Sequence, residues 1–161
     1  MAELPLRGRR VPHSGGMDTS DGGLLVRGRP VTRLPAQDLE RARRFYAERL
    51  GLEPVDERPG GLLYQCGGGH FVVFRSSGAA TGAFTQMCWQ VEDVDSVVAE
   101  LKRRGVVFEE FELPGLLGGG KPEDGITEVE GNYAVTGARG SRGAWFRDSE
   151  GNLLAVEAPV I

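Results

Sequence analysis

The sequence predicts an α+β fold in which two β-α-β-β-β modules pair into one curved mixed sheet with a cup. Two registered repeats predict it. Asp38 and Asp93, fifty-five residues apart, each open a helical pattern that a glycine closes, and the hairpin glycines Gly69 and Gly151 stand eighty-two residues apart before similar apolar runs. Size is the third observation. A chain of 161 residues with 40% hydrophobic content supports one domain built from two similar halves better than two independent ones.

Residues 1–28 carry Arg7, Arg9, Arg10 and Arg27 with no apolar period, and read as a flexible arm. The domain is expected over 29–160, with modules at 29–76 and 84–158. Val31 to Leu34 is a short strand-like run. Asp38 is an N-cap, since its carboxylate can accept free amides of the first helical turn. Leu39, Ala42, Phe45, Tyr46 and Leu50 then form an apolar stripe, and Gly51 can take the positive φ of a helix end. Strands follow near Leu52–Asp56, Leu62–Cys66 and Phe71–Arg75, the last two separated by the turn Gly67-Gly68-Gly69-His70.

Ser76 to Gly82 is a linker by composition, and the same order then begins again. Thr85–Val91 reads as a strand. Asp93 precedes Val94, Val97, Val98 and Leu101, and Gly105 ends the helix. Val106–Glu112, Ala144–Arg147 and Leu153–Glu157 complete the second module, with a polar turn from Asp148 to Asn152. A Gly-rich insertion at 114–143 interrupts it, and loops of that length are usually functional or mobile. Neither half can cover its own sheet, so the two should associate about a pseudo-twofold axis.

Charge and composition narrow the function. A formal net charge of −4 argues against a general nucleic-acid binder. No apolar run reaches bilayer length, and the N-terminal stretch has no apolar signal core, so no membrane association and a cytoplasmic location are expected. Cys66 and Cys88 form no C-x-x-C pair and read as free thiols. His13 and His70 make no spaced ligand set. Gly115 to Pro122 approaches a phosphate loop, but Pro122 stands where a hydroxyl should bind magnesium, so a surface loop or lid, with Tyr133 as its cap, is the better reading.

The segment Asp38-Leu39-Glu40-Arg41-Ala42-Arg43-Arg44-Phe45-Tyr46 followed by Leu50-Gly51-Leu52, together with Trp145-Phe146-Arg147-Asp148-Ser149-Glu150-Gly151-Asn152, resembles the vicinal oxygen chelate superfamily. That superfamily holds glyoxalase I, extradiol dioxygenases and bleomycin-resistance proteins. The resemblance covers about residues 30 to 157 and implies the glyoxalase/bleomycin-resistance/dioxygenase fold. Fold alone does not supply function.

In the metal enzymes of this superfamily each module gives two ligands, one from its first strand and one from its last. Carried onto this chain, those positions are Val31, Val73, Gln86 and Ala155. Valine and alanine donate nothing to a cation and Gln86 offers one amide oxygen, so no metal and no other cofactor are expected. If these four face the cup, alternation brings Arg33, Phe71, Arg75, Cys88, Gln90, Leu153 and Glu157 with them. The ligand-binding candidates are therefore Arg33, Phe71, Arg75, Gln86, Cys88, Gln90 and Glu157. No catalytic residue is assigned, although Glu157 is placed to act as a base in a dry cup.

The expected function is metal-independent binding of a small molecule, of the sequestering or resistance type. The ligand is expected to be hydrophobic or aromatic with an anionic group for the two arginines. The alternatives are a lyase, isomerase or dioxygenase with a non-standard site around Gln86 and Glu157, and an interaction module that binds no ligand. A cup closed within one chain and one closed across a homodimer both fit the repeat.

Overall fold

A computed structural model describes residue 25 and residues 28–111, 122–131 and 135–161. Nearly all of the expected arm, the near-phosphate-loop motif as far as Lys121, and Tyr133 lie outside these residues. Val31 to Ile161 form one compact unit. Its elements are β1 (Thr32–Ala36), α1 (Leu39–Phe45) continued by a π-type turn (Tyr46–Leu50), β2 (Asp56–Arg58), β3 (Gly61–Cys66), β4 (Gly69–Arg75), β5 (Met87–Gln90), α2 (Val94–Arg103), β6 (Phe108–Glu109), β7 (Thr127–Glu130), β8 (Gly140–Arg147) and β9 (Leu153–Val160).

Both helices begin as the sequence dictates. The Asp38 side chain accepts from the Arg41 amide and the Asp93 side chain from the Ser96 amide. Gly51 ends the first helix at φ 71°, a left-handed conformation that costs glycine nothing.

The α+β fold of two repeated modules is as expected, but the strands form two sheets. One runs β1-β4-β3-β2 and the other β5-β9-β8-β6, with β7 added on β8. In each, the first strand lies parallel to the last. The strand expected at Leu52–Asp56 begins only at Asp56. β7 was hidden inside the expected loop insertion, although its Thr-Glu-Val-Glu alternation carries the period of a half-buried strand.

Sheet register corrects the inferred facing of β4. Arg33 pairs with Val72 and Leu34 with Val73, while Cys88 pairs with Ala155 and Trp89 with Val156. Arg33 and Cys88 each stand five residues before their capping aspartate, so Val72, not Val73, matches Ala155. The reason is the hairpin. Cys66 pairs with Gly69 across the two-residue turn Gly67-Gly68, both at positive φ, whereas Arg147 pairs with Leu153 across five residues. Gly69 starts a strand and Gly151 lies inside a turn, so aligning them shifts β4 by one residue and reverses its faces.

The core lies between sheets and helices. Leu34, Ala42, Tyr46, Phe146 and Leu154 are fully buried there, with Tyr64, Phe71 and Val73. A chain of ring contacts runs Tyr46–Phe71–Trp89–Phe146 and so joins the two modules.

Candidate functional site

The turn between β8 and β9 is the polar joint of the molecule. Asp148 accepts the amides of Glu150 and Asn152 through Oδ1, and the Tyr46 hydroxyl and the Asn152 Nδ2 through Oδ2, all between 2.8 and 3.0 Å. Burial pushes the Asp148 carboxyl up despite these donors, and burial with the Asp148 charge pushes the Tyr46 phenol well above its ordinary value. Glu150, with a side chain 1% exposed, accepts the amides of Gln37 and Asp38 and a two-pronged contact from Arg41. Its burial would raise the carboxyl, but Arg41 and the Asp38 amide hold it below the usual range. The second module thus caps the first module's helix. In the sequence this segment shows only as a polar turn and a family signature.

This joint orients Gln86. Ionised Asp148 only accepts, so Asn152 must turn its Nδ2 toward it and toward the Pro35 carbonyl. Asn152 Oδ1 then faces Gln86, which must donate Nε2 at 3.0 Å. Gln86 Oε1 is left buried with no hydrogen-bond partner among the described residues. An unpaired buried acceptor is costly, and such groups call for an explanation.

Gln86 opens the face of the second sheet that turns away from α2. Cys88, Gln90, Leu153, Ala155 and Glu157 share that face, as alternation predicted. Trp145 joins them from β8: it pairs with Ala155, its Nε1 donates to Thr85 Oγ1 at 3.0 Å, and its ring lies 6.2 Å edge-on from Phe111. Arg147 is tied to Glu109 at 2.8 Å. The Cys88 residue is exposed at the sheet surface, yet the atoms packed around its sulfur and the neighbouring Glu157 carboxylate push the thiol up to about 12, so it is no thiolate nucleophile.

The other expected site residues fall elsewhere. Phe71 is 2% exposed and stacks on Tyr64 under α1. Arg75 pairs with buried Ala36 and donates to the Pro59 carbonyl at 3.1 Å, which puts it on the helix side. Arg33 keeps the helix-free face of its own sheet and lies 5.2 Å over the Phe74 ring. His70 is exposed on β4.

The sequence model of the Glyoxalase/Bleomycin resistance protein/Dioxygenase superfamily matches residues 29–156. The chain belongs to this superfamily. Its fold is shared by solved glyoxalase-like structures. A glyoxalase/bleomycin resistance protein/dioxygenase from Alicyclobacillus acidocaldarius is 17% identical at a TM-score of 0.60, over 81% of this chain and 89% of that one. The lactoylglutathione lyase of Agrobacterium tumefaciens is 20% identical at 0.54, over 80% and 90%. A superfamily protein from Nocardioides is 16% identical at 0.55, over 82% and 85%. No curated protein sequence matches the chain.

The divalent ion used by this superfamily's metal enzymes finds no donor set here. With the register corrected, the four positions are Val31, Val72, Gln86 and Ala155, which offer one amide oxygen. Among the described residues no group of three His, Cys, Asp or Glu side chains is placed to hold a metal. No helix among them is long and apolar enough to cross a membrane.

Proposed function

We propose that this glyoxalase-like protein binds a small organic molecule without a metal, in the manner of a sequestering or resistance protein, on the helix-free face of its second sheet. The observation that carries the reading is the orphaned Gln86 Oε1. It occupies a family ligand position and is fixed as an acceptor by the Asp148–Asn152 joint. A ligand N–H or O–H would satisfy it. Glu157 adds a carboxylate on the same face, and Trp145 with Leu153 and Ala155 adds apolar wall.

This composition changes the ligand expected. An anionic group was called for by Arg33 and Arg75, but Arg75 lies on the helix side and Arg33 is spread over Phe74. A flat apolar molecule with hydrogen-bond donors fits the acceptors better. Native mass spectrometry of the purified protein tests this. An organic ligand bound one to one, and lost on Gln86→Leu, supports the proposal; a stoichiometric divalent metal overturns it.

A further inference from the structure

A concavity lies on the helix side, between the end of the π-type turn and α2. It is a hollow of about 170 Å³, open to solvent on one side, lined by apolar groups and one thiol, among them Leu50, Cys66, Trp89, Leu101 and Phe146. The repeat explains why it is there. Fifty-five residues separate Tyr46 from Leu101 in the two helices, and eighty-two separate Cys66 from Asp148 at the two hairpins. The strand ladders confirm the second offset, because Tyr64 pairs with Phe71 as Phe146 pairs with Leu154. In one half of the molecule, Tyr46 fills the space with its ring and anchors itself on Asp148. In the other half, the matching Leu101 and Cys66 both line the cavity. The hole stands where a phenol ring stands in its counterpart.

We propose that this cavity binds a neutral single-ring aromatic molecule, or the terminal ring of a larger one. An apolar cavity of about 150 Å³ sealed in a protein interior takes up benzene, and this hollow offers walls of the same chemistry and similar volume with an open side for entry. The rings of Trp89 and Phe146 offer faces and edges to such a guest. A charged or strongly polar ligand would lose water on the side it buries, with only the Cys66 thiol to meet it. This site is separate from the Gln86 face and does not depend on it.

Toluene is the probe and the whole chain the sample. Toluene near saturation should raise the melting temperature by about 2–5 °C, and benzoate should not. Leu101→Phe should raise the melting temperature by itself and abolish the toluene response. Should Leu101→Phe fail to fold, methyl NMR of the wild type decides: Leu50, Leu52, Val97 and Leu101 should shift together with toluene while Leu153 stays still. No thermal response in the wild type, a response that survives Leu101→Phe, or methyl shifts outside this set would each overturn the proposal.

Discussion

The hydroxyl of Tyr46 donates to the carboxylate of Asp148 over 3.0 Å, and this bond ties the first helix to a hairpin turn 102 residues further along the chain. Both groups are buried, so the bond is made out of reach of water. Hydrogen bonds to charged partners are worth about 1.5–3 kcal/mol. Tyr46→Phe should therefore lower stability by about 2 kcal/mol, read as a fall of about 4–8 °C in melting temperature. Asp148→Ala should cost more, since it strands four donors at once.

Glu150 gives the molecule an acid-sensitive clasp. Its folded carboxyl sits below the ordinary value, so its contribution is fully present above the unfolded value of roughly 4.3 and is lost as pH falls through the folded one. Glu150→Gln should destabilise the protein by about 1–3 kcal/mol at pH 7. The gap to the wild type should close as the pH is lowered below about 4. A pH-independent gap in thermal melts would show that the charge is not what matters.

Cys88 should resist alkylation. With its thiol pushed up to about 12, almost no thiolate exists at pH 8. In a Cys66→Ala background, iodoacetamide should react at least about a hundredfold more slowly than with free cysteine. Glu157→Gln removes the neighbouring negative charge and should speed the reaction several-fold.

The corrected register can be tested by building the missing metal site. Val31→His, Val72→Glu, Gln86→His and Ala155→Glu supply two imidazoles and two carboxylates at the four family positions. Calorimetric titration should show one zinc or nickel ion bound per chain by the quadruple variant and none by the wild type. Val73→Glu in place of Val72→Glu should instead unfold the protein, because Val73 is 0% exposed under α1 and a buried unpaired charge costs several kcal/mol.

Much of this architecture is legible in the residues. Capping aspartates, closing glycines and helical stripes are local devices, so Asp38, Gly51 and Asp93 do in the fold what their chemistry requires. Alternation along β5 and β9 places Gln86, Cys88, Gln90 and Glu157 on one face for the same reason: the period of a strand is a property of the chain itself. That logic fails at β4, where the facing of Phe71, Val72 and Val73 depends on whether a hairpin turn holds two residues or five. A motif alignment does not contain that count, and a difference of one residue decides which side Phe71 and Arg75 take.

By itself the sequence determined the superfamily, the two modules and the loss of cation donors at the family's ligand positions. Only the tertiary structure decided what the Asp148–Asn152 segment does, and that Gln86 keeps an oxygen unpaired among the described residues. It also decided that Leu101 and Cys66 leave a hole where Tyr46 and Asp148 fill one. Those outcomes join groups far apart in the chain, 102 residues for Tyr46 and Asp148, or turn on which atom of an amide meets which neighbour, and no local pattern carries information of that range.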